Sequence, residues 1–259
     1  MIGVLHPGEM GAMVGRCLTG RGHRVLWTSQ GRGPRTAARA GAAGLADVGN
    51  VAALVSQADI IVSICPPHAA VDVATAVRGF GGLYVDANAI SPGTAREVAQ
   101  IVTDGGATYV DGGIVGPPPV TTGSTRLYLS GQAAETVREV FDGTAIQARV
   151  LTGDPWAASS IKMAYAAWTK GSAALLLAVR ALADAQGVSD ALLAEWEISQ
   201  PGLQDRHLDA AQSAASKGWR WTAEMEEIAA TMAAAGLPDG FHQAAAEIYR
   251  HLTGQGIAC

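Results

Sequence analysis

The sequence predicts a doubly wound α/β domain followed by an all-α domain, the two joined by one long helix. Three observations carry this expectation. Through about residue 150, short apolar runs alternate with helix-like segments, and beyond it the β-like runs stop. The stretch "WAASSIKMAYAAWTKGSAALLLAVRALADAQ" (156–186) then runs without proline and with one internal glycine, Gly171. Continuous apolar strands between helices point to a parallel sheet covered on both faces.

The β-like runs fall at 2–5, 23–27, 59–65, 82–87 and 107–113, followed by 126–131 and 148–152. Helix-like segments lie near 9–21, 34–41, 50–57, 68–78, 91–104 and 132–140. The last strands come closer together, so they are expected to add antiparallel edge strands. Pro155 suits a first helical turn, and Asp154 before it is a capping side chain. Further helices are expected to break at Gly187, at Pro201-Gly202, near Gly218 and at Pro238-Asp239-Gly240. The domains are therefore 1–152 and 153–259.

Composition narrows the function. The chain has 259 residues, 49% apolar and 16% charged, enough to bury a sizeable core. A net charge of −5, with Lys and Arg scattered, argues against nucleic acid and anionic membrane as partners. Cys17, Cys65 and Cys259 match no metal spacing; the first two read as core thiols and the third as terminal. The histidines His6, His68, His207, His242 and His251 form no metal spacing either. Polar residues interrupt every long apolar span and no signal peptide is visible, so a reducing cytoplasm is the expected compartment.

The opening "MIGVLHPGEMGAM" meets the pattern G-x-G-x-x-G of a Rossmann-type dinucleotide-binding turn, except that His6 stands at the first glycine. Gly8 allows close approach of a pyrophosphate, and Gly11 lets the helix sit tightly on the sheet. His6, Pro7, Gly8, Glu9 and Met10 are thus the candidate cofactor turn. Proline fixes φ and removes a donor, so a stiffer loop with fewer N–H groups is expected. The second strand continues "RVLWTSQGRGPR" with no acid for ribose hydroxyls. Thr28, Ser29, Arg32 and Arg35 instead suit a 2′-phosphate, favouring NADP(H) over NAD(H).

With these motifs the chain resembles the β-hydroxyacid dehydrogenase / 6-phosphogluconate dehydrogenase-like superfamily. "CPPHAA", "YVDANAISP" and "VDGGIVGPPP" are similar to its branch with a phosphogluconate-dehydrogenase-type C-terminal domain. The resemblance covers the whole chain and implies a small-molecule substrate, an active site in the cleft between the domains and a homodimer through the helical domain. It implies that Cys65, Pro66 and Pro67, after Ser63, line the pyrophosphate and that Asn88 lies near the nicotinamide ribose. It places the substrate loop at Gly113, Ile114, Val115 and Gly116, and the catalytic lysine at Lys162. The departures are specific: Val115 replaces a serine, Pro117 a glycine, and Tyr165-Ala166 an Asn-Asn pair. A Lys-Asp pair further on becomes Ala223-Glu224. The clamp for a substrate carboxylate is accordingly weakened.

Hydride transfer to a carbonyl needs one proton delivered to the developing alkoxide. Lys162 shares a helix face with Ser159 and Tyr165, so an ammonium and a phenol can meet one substrate. Burial among Trp156, Met163 and Trp168 is expected to lower the lysine pKa. Trp196, Trp219 and Trp221 are expected in the core or at an interface. The reading is an NADP(H)-dependent dehydrogenase or reductase acting on a hydroxyl/carbonyl pair. The alternatives are an imine or iminium reductase, favoured by the lost clamp, and a non-catalytic NADP(H)-binding sensor.

Overall fold

The computed structural model describes residues 1–254, so Cys259 lies outside the described residues. The strands are β1 (Ile2–Leu5), β2 (Val25–Trp27), β3 (Ala46–Asp47), β4 (Ile60–Ser63), β5 (Leu83–Asp86), β6 (Thr108–Val115), β7 (Thr125–Ser130) and β8 (Ile146–Val150). Helices α1 (Glu9–Gly20), α2 (Pro34–Ala42), α3 (Val51–Gln57), α4 (Ala70–Ala76), α5 (Pro92–Asp104) and α6 (Ala134–Val140) lie between them. Then come α7 (Ala157–Ala185), α8 (Ser189–Ser199), α9 (Leu203–Ala234) and α10 (Gly240–Gly254). The chain forms two compact units, Met1–Lys162 and the residues from Met163 onward.

In the first unit one sheet runs β3-β2-β1-β4-β5-β6-β7-β8. β1 to β6 are mutually parallel, and the order reverses between β1 and β4, where doubly wound sheets open a crevice. Alternating side chains feed two apolar layers. Val4, Val14, Leu18, Val85, Val110 and Phe141 build one, and Leu54, Ile61, Phe80, Tyr84 and Val98 the other.

Two details extend the sequence reading. β7 is antiparallel to β6 and β8 is parallel to β7, so both edge strands run against β1 to β6, as expected, and pair with each other in parallel. The reason is α6, which crosses between them and returns the chain in the same direction. The two-residue β3 has too little apolar pattern to be read in advance.

The helical unit corrects one expectation. α9 runs through Gly218, which is buried inside it. A glycine costs a helix only about 1 kcal/mol relative to alanine, less than packing returns. α9 packs against α10 with Ile228, Ala245, Ala246 and Tyr249 buried. A Cβ on Gly171 would lie 3.1 Å from the Phe241 ring and 3.3 Å from the His242 ring, so this glycine lets α10 approach α7. Trp196 is buried, Trp221 packs edge-on against Tyr249, and Trp219 is exposed. No helix among the described residues is long and apolar enough to cross a membrane, and none of their His, Cys, Asp and Glu side chains form a metal cluster.

Candidate active site

The turn after β1 is built around a strained histidine. His6 has φ of 62°, the one positive value at a non-glycine among the described residues. Its carbonyl accepts the Gly8 amide at 2.7 Å and would stand 2.5 Å from a Cβ on Gly11, which therefore must be glycine. Gly8 caps α1 without a side chain, and a Cβ there would meet nothing within 4 Å. The Gly8 amide is spent inside the turn and Pro7 has none, leaving the Glu9 and Met10 amides at the mouth of α1. Gly15 extends this small face, since its Cβ would press on Leu45 at 2.9 Å.

Around the turn, two buried nitrogens have no partner: Nδ1 of His6 and Nε of Arg32. Burial, reinforced by Arg32, holds the His6 imidazole down at about 4. Burial also lowers the Arg32 guanidinium from its usual range. Thr28 is buried at the end of β2, and Arg35 is exposed. The sequence offered no acid on β2, yet β3 brings Asp47 beside it. The Asp47 carboxylate accepts the amides of Ser29 (3.1 Å) and Gly49 (2.8 Å), and its pKa falls below the usual range mainly through the Ser29 hydroxyl. That acid fastens the loop.

At the ends of β4 and β5, Asn88 is 2% exposed and stitches the strands together. Its Oδ1 accepts the Cys65 amide at 2.6 Å, and its Nδ2 donates to Ser63 Oγ at 3.1 Å. The Cys65 thiol is pushed up to about 12, first by burial and then by Asp86, which makes it a poor nucleophile. Pro66 leads into a 3-10 turn, Pro67–Ala69. Cys17 and Cys65 are both partly buried and free.

Two further carboxyls escaped the sequence reading. Asp86 and Asp111 are register partners on β5 and β6, preceded by the paired tyrosines Tyr84 and Tyr109. The signal was present as a repeated Tyr-Val-Asp, once in "GLYVDA" and once in "ATYVDGG". Asp86 is raised to about 7, chiefly by burial, and its Oδ2 has no partner. Asp111 is well supplied: it accepts the Ser159 amide at 2.8 Å, the Ser159 hydroxyl and the Ser130 hydroxyl at 3.1 Å. The predicted cap also forms, Asp154 Oδ1 accepting the Trp156 amide at 2.8 Å.

Lys162 stands one turn beyond Ser159. Its Nζ donates to the Ile114 carbonyl at 2.9 Å, and burial lowers its pKa to about 8. The expected aromatic enclosure is corrected: Trp168 is 68% exposed, and Trp156 packs on the Tyr109 ring beneath Arg96. The dry surroundings come from β6 instead. A Cβ on Gly113 would meet the Ala158 carbonyl at 2.6 Å and Lys162 Cβ at 3.0 Å, so this glycine admits the helix. Val115 is buried, and Gly116 ends the strand at φ 114°, hard against the Ser124 carbonyl. Tyr165 lies a turn further along α7 and is 44% exposed. In the helical unit, Glu224 does keep a basic partner: Lys170 of α7 pairs with it and sits over the Trp221 ring.

A family model described as the NAD binding domain of 6-phosphogluconate dehydrogenase matches residues 1–153. A second, described as a domain of unknown function (DUF1932), matches residues 183–252. The chain therefore belongs to the family with the 6-phosphogluconate dehydrogenase type of NAD-binding domain, and it is an NAD(P)-dependent oxidoreductase.

No curated protein matches the chain in sequence. Among solved structures, it is similar to the conserved protein MTH1747, whose description reports similarity with 3-hydroxyacid dehydrogenases. That match has 25% identity, covers 97% of this chain and 96% of the other, and has a TM-score of 0.67. It shares the fold of 3-hydroxyisobutyrate dehydrogenase from Salmonella typhimurium (18% identity, 96% and 92% covered, TM-score 0.72). It also shares that of a reductive aminase from Aspergillus terreus, solved with NADPH, cyclohexanone and allyl amine (19% identity, 97% and 93% covered, TM-score 0.60).

Proposed function

We propose that the protein is an NADP(H)-dependent dehydrogenase or reductase acting on a hydroxyl/carbonyl pair, with Lys162 as the proton donor or acceptor. The observation that carries this reading is the Lys162 ammonium, held by a single carbonyl on a strand of the NAD-binding domain with its pKa lowered to about 8. One of its three N–H groups is used at Ile114, which leaves two for a substrate oxygen. A lysine with this pKa exists in both forms near neutrality, as a general acid-base group requires. The charged form also stabilises an oxyanion as it develops.

The residues of the β1–α1 turn fit a dinucleotide. Support comes from the open space over Gly8, the unpaired amides at the start of α1, and the unpartnered nitrogens of His6 and of Arg32, whose charge acts on the His6 imidazole. Bound there, the nicotinamide supplies or accepts the hydride. Arg32, with Thr28 and Ser29, supports a 2′-phosphate and hence NADP(H), because Asp47 is already occupied by loop amides. Tyr165 is the second proton-bearing candidate, its exposed phenol free to reach a substrate.

A second reading, imine or iminium reduction, is favoured by Val115 and Pro117, which supply neither the hydroxyl nor the N–H that would hold a carboxylate. The reductive aminase fold likeness agrees with it. The protein is further read as a homodimer through its helical domain in a cytoplasmic setting. Trp168, Leu175 and Leu182, at seven-residue intervals on α7, are 68%, 49% and 61% exposed, an apolar stripe that a second copy would cover.

The deciding experiment is NADPH oxidation against keto acids, aldehydes and cyclic imines, with Lys162→Ala alongside. Turnover of a carbonyl that collapses in Lys162→Ala supports the first reading. Full turnover in that variant overturns the role of Lys162, and imines as sole substrates establish the second reading.

A further inference from the structure

The first turn of α7 is held by one strand at three successive points. Asp111 of β6 takes the amide and hydroxyl of Ser159. Two residues on, Gly113 lets Ala158 and Lys162 approach to contact. Next, the Ile114 carbonyl accepts the Lys162 ammonium. From β7, Ser130 Oγ adds a bond to Asp111 at 3.1 Å and accepts the Ala158 amide at 3.0 Å. Ser159 and Lys162 are three residues apart, on one helix face. A carboxylate at a helix N-terminus is favoured by the unpaired amides and by the helix dipole, and its bonds are charge-assisted.

We propose that Asp111 is the positioning residue for Lys162: by holding Ser159 it fixes the first turn of α7 on β6 and so sets where the ammonium stands and how dry its surroundings are. The proposal rests on the reading of Lys162 as the proton-transfer group. Other groups near Asp111 on the sheet do not substitute for it. Asp86 is bound to the Asn88 amide, and Tyr109 stacks between Tyr84 and Trp156. Without the Asp111 carboxylate the helix end can lift, water reaches Lys162, and the lysine reverts toward an ordinary amine.

The test reads Lys162 directly and needs no substrate. The chain has three lysines, Lys162, Lys170 and Lys217, so acetic anhydride labelling read by peptide mass spectrometry resolves each. Labelling rate is followed over a pH series in the wild type, Asp111→Asn and Ser159→Ala. The wild-type midpoint for Lys162 is expected near 8. In Asp111→Asn it moves up by at least about one pH unit toward the ordinary value of about 10.4. Ser159→Ala moves it the same way by less, and Lys170 stays where it is in all three proteins.

A Lys162 midpoint unchanged in the variants overturns the proposal, and so does an equal shift at Lys170, which marks general loosening. If Asp111→Asn does not fold, Ser159→Ala decides. Turnover separates the two readings. Full activity in Lys162→Ala removes the catalytic role of Lys162. Loss in Lys162→Ala with kcat intact in Asp111→Asn removes only the positioning role.

Discussion

The ammonium of Lys162 is bonded to the carbonyl of Ile114, 2.9 Å away, so an α7 side chain and a strand of the NAD-binding domain share one hydrogen bond. Burial takes the lysine pKa down to about 8, below the ordinary value of about 10.4. The unfolded chain therefore holds this proton more tightly than the folded one. Stability rises as pH climbs from about 8 to about 10.4, and the full cost of burying the charge is present below 8. Lys162→Met is expected to stabilise the fold by about 1–3 kcal/mol at pH 7, with the gain fading by about pH 10. The same change should lower turnover by at least about 100-fold. Urea melts at the two pH values check the first statement, and destabilisation at pH 7 would contradict it.

Asp86 titrates with the opposite sense. Its folded pKa of about 7 exceeds the ordinary value of about 3.9, so the folded state keeps a proton that the unfolded chain has released. Stability then falls as pH rises from about 4 to about 7. Asp86→Asn keeps an oxygen for the Asn88 amide and removes the charge. It should stabilise by about 2–4 kcal/mol at pH 8 and by little at pH 4. Equal effects at both pH values would show that the charge is not the cause.

His6 carries a backbone conformation that costs a non-glycine residue about 1–2 kcal/mol. His6→Gly is expected to raise stability by about 1 kcal/mol, the greater freedom of unfolded glycine offsetting part of the relief. His6→Ala keeps the Cβ and should gain nothing. Denaturant midpoints compare them; a glycine variant no more stable than the alanine one rules out backbone strain as the reason.

Gly11→Ala places a methyl 2.5 Å from the His6 carbonyl oxygen. The backbone must shift, so stability should fall by about 1–3 kcal/mol, and NADPH binding should weaken with the displaced turn. Thermal melts and fluorescence titration report the two effects, and an unchanged NADPH affinity would place the coenzyme elsewhere.

Arg32→Ala should weaken NADPH binding at least tenfold, about 1.4 kcal/mol, and leave NADH binding nearly unaltered. The measurement is the ratio of the two dissociation constants. A wild-type preference for NADH that survives the substitution would refute the NADP(H) assignment.

The α/β alternation, the long helix and the Gly8–Gly11 turn were legible because each depends on local pattern. Apolar period, glycine at a strand-to-helix junction and Asp154 ahead of a helix act over a few residues. Gly218 misled because propensity is weak beside packing, and Trp168 misled because a helix's apolar residues do not announce which side they bury.

By itself, then, the sequence determined the alternation of strands and helices up to about residue 150, the glycine turn after β1 and the presence of a lysine near the start of α7. Only the tertiary structure decided what surrounds them. Asp111 and Ser159, like Ile114 and Lys162, are 48 residues apart in the chain yet meet through strand register and helix docking. The pairing of Asp86 with Asp111, and the reach of Lys170 to Glu224, likewise arise from elements brought side by side. A pKa or a hydrogen bond depends on distances across the fold, and those distances are fixed by packing rather than by neighbours along the chain.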